Sequence, residues 1–325
     1  MLVRKPLYPD MDNVCNNRNV HEYTPYIIGE TGNIIDESWW NSLSSDCKEL
    51  LRQKTNFTLG NVSVPHKFQF DTDEKFLKTV YKIYIDSFDY NVWYQHVRQL
   101  ENTPKGVILI PISDDIKRMF VKLYEQQQSW GELHDTAFKQ LYNKIQSYMN
   151  GEEYFIRMSS TSGKNEKSLR SFTRTDDILD HITGMKLFVD QEYKRLDKES
   201  YLILIPWNNQ IESRHEFRIF VVNNKLTGVS QQNRYDLYQH STEELEAFES
   251  ALNNISFLDK CPYATYVADV YVDIQTKRCC LIELNPFGAH SGAGAALFNW
   301  MVDYELLHGL TDKPPELRYL SVINY

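Results

Sequence analysis

The chain has 325 residues, 42% of them hydrophobic and 13% aromatic, enough to bury one large core or two modest ones. A formal net charge of −9 excludes a general nucleic-acid surface, which needs clustered Lys and Arg to displace phosphate counterions, but it leaves room for a local basic pocket. No run of about 18 apolar residues occurs, and the first residues, MLVRKPLYPDMDN, lack the apolar stretch of a secretory signal, so the expectation is a cytoplasmic chain without a membrane anchor.

Residues 1–86 read as a separate, less regular region. Asp36 can cap a helix carrying Trp39, Trp40, Leu43, Cys47, Leu50 and Leu51 at helical spacing, and a second helix is expected around Phe76, Leu77, Val80, Tyr81 and Tyr84. Neither carries a reactive set. The apolar run from Val107 to Ile112 then reads as a buried strand, with Ser113-Asp114-Asp115 capping a helix that bears Ile116, Met119, Phe120 and Leu123. A longer helix with Leu133, Phe138, Leu141, Ile145 and Met149 stops at Asn150-Gly151, and a strand from Tyr154 to Met158 opens into a polar loop, 159–168.

Strands are expected at 201–206, 215–222, 225–231, 265–273 and 278–284, with a helix at 242–258 and a tight hairpin turn at Asn223-Asn224. This order is that of an α+β protein with a largely antiparallel sheet. The five cysteines include no C-x-x-C pair and read as reduced thiols. Adjacent Cys279 and Cys280 fall on opposite faces of a strand, as packing residues do.

Candidate chemistry gathers in two places. On the hairpin from Val267 to Asn285, Glu283 and Asn285 share a strand face, and a turn centred near Thr276 sets Asp269 opposite Glu283. Like charges so placed destabilise a strand pair, which points to a cation between them; hard oxygen ligands suit magnesium. The alternative is a pair of solvated carboxylates on an exposed face. Asn285-Pro286-Phe287-Gly288, leading to the glycine-rich 291–294, favours the metal.

The second place is the serine-rich loop after Met158. Ser159 and its neighbours can offer donors to phosphate, with Arg157 and Lys164 as countercharges, although the Walker A spacing is absent. Glu216 and Arg218 lie on one face of a strand, where Arg218 could reach phosphates with Glu216 as its partner, or the two could form a plain surface ion pair. The strand ending in Pro206-Trp207 offers an apolar wall for an adenine ring, or core packing.

Taken together, Phe155-Ile156-Arg157-Met158-Ser159-Ser160, the run ending at Trp207, His215-Glu216-Phe217-Arg218-Ile219-Phe220, the run from Lys225 to Gln231, Asp269-Val270-Tyr271 and the run from Ile282 to Gly288 occur in the order and spacing of the cell division cycle protein 123 family, which the chain resembles. Val92-Trp93-Tyr94 and Leu297-Phe298-Asn299-Trp300 resemble that family's N- and C-terminal landmarks. The resemblance implies an α+β, ATP-grasp fold over residues 87–325, two lobes with largely antiparallel sheets and ATP between them, preceded by an N-terminal extension, 1–86. It implies that Arg157 and Arg218 bind phosphate, that Trp207 closes the hinge strand near adenine, and that Asp269, Glu283 and Asn285 hold magnesium. Where eukaryotic members often have Lys and Asp, this chain has Arg157 and Glu283. The function implied is an ATP-dependent assembly chaperone that docks the gamma subunit of translation initiation factor two. An ATP-grasp ligase, or a kinase-like enzyme acting on a protein or RNA, is the alternative.

Overall fold

The computed structural model describes residues 2–7, 86–132, 135–162, 171–196, 198–288, 293–300 and 302–320. The two helices expected before residue 86, Leu133 and Lys164 lie outside the described residues. In chain order the main elements are β1 (Val3–Leu7), α1 (Tyr90–Val97), β2 (Ile108–Ile112), α2 (Asp114–Gln126), α3 (Thr136–Tyr148), β3 (Tyr154–Met158), α4 (Thr175–Gly184), β4 (Ser200–Pro206), β5 (Glu216–Val222), β6 (Lys225–Gln231), α5 (Thr242–Asn253), β7 (Tyr266–Asp273), β8 (Arg278–Asn285) and β9 (Glu316–Leu320). They divide into two compact units, one made of Asp89–Arg98 and Pro104–Asn209, the other of the remaining described chain.

The first unit holds a three-stranded antiparallel sheet in the order β2-β4-β3. Its helices start where the sequence says they should. Ser113 Oγ accepts the Ile116 N–H at 3.4 Å to open α2, and the Asp135 carboxylate accepts from Ala137 and Phe138 at 2.8 and 3.1 Å to open α3. The faces they bury, Ile116, Phe120 and Leu123 on α2 and Phe138, Leu141 and Ile145 on α3, pack with Ile156, Leu202 and Leu204 of the sheet into one core. Asn150-Gly151 ends the run as expected, Gly151 taking a φ of +93°. Helix α4 was not anticipated; Ile178, Leu179 and Ile182 bury it against this same core, followed by a π-helical stretch, Val189–Tyr193.

The second unit holds a six-stranded sheet in the order β1-β9-β6-β5-β7-β8. Asn223 and Asn224, at φ +51° and +60°, turn β5 into β6, and β5, β7 and β8 pair antiparallel. The departures are β9, which runs parallel to both β6 and β1, and β1 itself. Residues 3–7 therefore form an edge strand of this sheet and are not part of a separate N-terminal region. An edge is where Pro6, which has no N–H to give a ladder, is tolerated.

Helix α5 covers one face, Phe248 meeting Phe217 edge-on at 4.7 Å. It opens with a reciprocal cap between Ser241 and Glu244 and ends at Asn253, short of the expected 258. There the Asn253 and Asn254 side chains donate back to the Glu249 and Ser250 carbonyls, competing with helix continuation. The described cysteines, Cys261, Cys279 and Cys280, are unpaired thiols, and burial pushes that of Cys261 up to about 12. Among the described residues no helix is long and apolar enough to cross a membrane.

Candidate functional site

The β7–β8 hairpin is set by its turn. Asp273 Oδ1 accepts the N–H groups of Gln275 and Thr276 at 2.9 and 3.1 Å, and Lys277 takes a φ of +53°. From there the register runs Asp273↔Arg278, Val272↔Cys279, Tyr271↔Cys280 and Val270↔Leu281. Continued unbroken, it would set Asp269 against Ile282. A bulge intervenes, and Asp269 pairs with Glu283 instead. The expected pairing is met, but by a bulge at Ile282 and not by a turn centred on Thr276.

Strand β5 adds the third member, since Arg218 lies directly opposite Asp269. Its guanidinium forks onto the carboxylate, Nε to Oδ1 at 2.8 Å and Nη2 to Oδ2 at 2.9 Å, while Nη1 donates to the Gly294 carbonyl at 2.7 Å. Asn285 Nδ2 approaches Asp269 Oδ2 at 3.5 Å. Asp269 is only 4% exposed. Burial works against the Arg218 charge, yet the Asp269 carboxylate, with Glu283 beyond it, more than offsets this and holds the group above its ordinary value.

Arg218 puts a cation beside Asp269 within the chain, and one expectation changes here. Arg218 in turn pairs with Asp269 and not with Glu216, because a cross-strand neighbour is nearer than a same-face neighbour two residues along its own strand. Glu216 stands opposite Tyr271.

The polar row continues across the sheet from Arg218 to Ser230 of β6 and Arg318 of β9. Segment 293–300 is fastened over it. The Leu297 N–H donates to Ser230 Oγ at 2.9 Å, and the Arg318 guanidinium lies 4.0 Å from the Phe298 ring centre while forking onto Asp303 at 2.7 and 2.8 Å. Phe298 and Trp300 both meet Phe220 edge-on at 5.4 Å. Gly228 makes the room for this, since a Cβ there would stand 3.1 Å from Phe298 and 3.2 Å from Leu307. Gly294, whose carbonyl holds Arg218, is thereby placed. No periodicity in the sequence marks Arg318 or Asp303 for this task.

In the first unit, Arg157 of β3 is buried, with Nε donating to the Met158 carbonyl at 3.2 Å and its guanidinium 4.8 Å from the Tyr90 ring centre. Ser159 is fully buried; its Oγ accepts the Tyr201 N–H at 2.8 Å and its carbonyl accepts from Tyr90 at 2.9 Å. Both the N–H and the hydroxyl of Ser160 donate to Glu192, a fully buried carboxylate on the π-helical stretch. The first two serines of the loop thus hold it to its own unit, which the sequence did not reveal. Pro206 and Trp207 close β4, Trp207 N–H donating to the Glu153 carbonyl at 2.8 Å and Nε1 to Asn209 Oδ1 at 2.5 Å, and both residues keep part of their surface exposed.

Asp269, Glu283 and Asn285 form an all-oxygen donor set, and that chemistry fits magnesium, which takes one or two carboxylates and completes its shell with water and phosphate oxygens. Among the described residues no three His, Cys, Asp or Glu side chains converge, so any fuller coordination would come from outside this trio.

Residues 169–324 match the model of the D123 family. A translation initiation factor eIF2 assembly protein of Vanderwaltozyma polyspora is 27% identical over 113 residues, 34% of this chain and 30% of that protein. The Xenopus laevis protein of the same name is 33% identical over 120 residues, 36% of this chain and 33% of its own length. The chain spans about a third of the length of these two relatives. A putative CDC123-like protein of Acanthamoeba polyphaga mimivirus is 25% identical over 235 residues, 66% of this chain and 69% of that one. The solved structure of Cdc123 from Schizosaccharomyces pombe superposes with a TM-score of 0.55 at 21% identity, covering 73% of this chain and 97% of that one, and so shares its fold. Family model, relatives and fold together support the resemblance of this chain to the cell division cycle protein 123 family.

Proposed function

We propose that this chain is an ATP-grasp protein that binds ATP with magnesium and assists assembly of translation initiation factor two by docking its gamma subunit. The observation that carries the ATP reading is the cluster fixed by strand register: Asp269, Glu283 and Asn285 as oxygen donors with Arg218 forked onto Asp269. A metal and a phosphate chain need that combination of hard donors and a planar, always-charged cation. Asp269, Glu283 and Asn285 would hold the magnesium, which when bound screens the phosphate charge. Arg218 and Arg157 are assigned to phosphate, and Pro206 and Trp207 to the adenine. The assembly role follows the names of the Vanderwaltozyma polyspora and Xenopus laevis relatives, and the gamma subunit follows the family resemblance.

Calorimetric titration with ATP and magnesium tests the site. Asn285→Ala and Glu283→Gln should each weaken binding by about tenfold or more while the protein stays folded. Unchanged affinity in both would remove the metal assignment. To test the role, the protein, ATP, magnesium and the gamma subunit are mixed, and complex formation and ADP are measured together. Complex with little ADP supports the chaperone; no complex, with ADP release once an amine or amino-acid acceptor is added, would replace it with a ligase.

A further inference from the structure

Residues 2–7 sit in the second unit as a bound peptide sits in a groove. Their backbone runs parallel to β9 in unbroken register, Val3↔Glu316 to Leu7↔Leu320, and the Val3 N–H donates to the Pro315 carbonyl at 3.0 Å. Alternation puts Leu2 and Arg4 on one face and Val3 on the other. Helix α5 meets the first face. Leu2 is 3% exposed and its N–H donates to Asn253 Oδ1 at 3.1 Å, while Arg4 Nη2 donates to Glu249 Oε2 at 2.7 Å. Val3 is 47% exposed. Glu249 and Asn253 are one helical turn apart, about 6 Å, and two strand residues span about 6.5 Å, so the α5 pair is spaced to contact alternate residues of an extended chain. The ladder accepts any sequence; the buried seat of Leu2 and the carboxylate of Glu249 select an apolar residue and, two positions on, a cation.

The seat and its occupant come from different parts of the chain. Both β9 and α5 lie inside residues 169–324, the part that matches the D123 family model, and β1 lies outside it. Leu2 and Arg4 reach partners 251 and 245 residues away. Among the described strands β1 pairs with β9 alone, its ion pair has side chains 33% and 29% exposed, and Arg4 Nε is buried without an acceptor among the described residues. An edge strand held in this way opens locally without unfolding the sheet. We infer that the edge formed by β9 and α5 is a strand-addition site for a partner protein, with residues 2–7 as its resident occupant. The partner that fits is an extended segment running parallel to β9, with an apolar residue followed two positions later by Arg or Lys. An acid at that second position would face Glu249 and be repelled.

The probe is a fluorescein-labelled peptide of residues 1–8, MLVRKPLY, titrated into the full chain without nucleotide and followed by anisotropy. Leu2→Asp puts a charge into the buried seat and weakens the resident strand. That variant should bind the peptide about tenfold or more tightly than wild type, where the resident competes. In the Leu2→Asp chain, adding Glu249→Arg should transfer the preference from this peptide to its Arg4→Glu form. A folded Leu2→Asp chain that does not bind the peptide overturns the proposal, as does binding that Glu249→Arg leaves unchanged. Hydrogen exchange of the wild-type chain decides the case if Leu2→Asp fails to fold. The amides of Val3 and, by alternation, Lys5 face β9, and they should exchange at least about tenfold faster than those of Ile219 in β5 and Val229 in β6. Equal protection in both places would mean that β1 leaves only when the whole sheet unfolds, and that no partner strand can take its place.

Discussion

Asp269→Ala is the natural substitution for removing the metal, and the structure says that it also strikes the fold. In the second unit Arg218 has a side chain 13% exposed and Asp269 one 6% exposed, joined by two charge-assisted bonds. Truncating the acid leaves Nε and Nη2 of a buried cation without acceptors, for which the expected loss is about 3–5 kcal/mol. Relief of the opposition between Asp269 and Glu283 returns less than about 1 kcal/mol. Against a typical total stability of about 5–15 kcal/mol, the net loss is large without being fatal. Adding Arg218→Met removes the orphaned charge, so the double variant should recover most of the loss, a coupling that urea denaturation at constant slope would report. If Asp269→Ala lies within about 1 kcal/mol of wild type, or if Arg218→Met in the same chain brings no recovery, the pair does not carry the energy assigned to it.

Gly228→Ala should lower the melting temperature by the equivalent of about 1–3 kcal/mol, because its methyl meets Phe298 and Leu307 at 3.1–3.2 Å, and a melting temperature like that of wild type would show that segment 293–300 yields freely. Ser159→Ala leaves the Tyr201 N–H without its acceptor and should cost about 1–3 kcal/mol by denaturation, while a neutral result would remove the anchoring role given to it. Burial pushes His240 down to about 4 against the pull of Glu244, with Arg214 and His215 adding to the effect. Its folded value being below its unfolded one, the stability it lends is complete above about pH 6.5 and is lost as pH falls toward about 4, by at most about 1.4 kcal/mol per pH unit. His240→Phe should flatten that part of the profile, and identical profiles would refute the assignment.

Where local chemistry is self-sufficient, the sequence reveals the structure. Ser113 and Asp135 start their helices, Asn223-Asn224 turns its hairpin, and strand alternation puts Glu283 and Asn285 on one face, all without help from distant residues. Strands β1 and β9 escape notice because parallel pairing needs no turn to announce it. Each is five residues long, with charges at Arg4 and Lys5 or at Glu316 and Arg318 that break the apolar pattern. The fork between Arg218 and Asp269 escapes for a related reason, since 51 residues separate them and only the pairing of β5 with β7 brings them together.

The bulge at Ile282 shows how narrow the margin for such a site is. The residues from Arg278 to Leu281 pair with Asp273 to Val270 in simple register, and the same register carried on would turn Glu283 to the face opposite Asp269. One extra residue on β8 reverses that, and it does so at the step where the ladder reaches Asp269. The gain is that Leu281 and Leu284 both stay buried while Glu283 and Asn285 remain partly exposed near the forked pair. A flat strand would have to give up either the apolar face or the donor set. Bulges collect near binding sites for this reason: they re-aim side chains without dismantling the sheet that holds them.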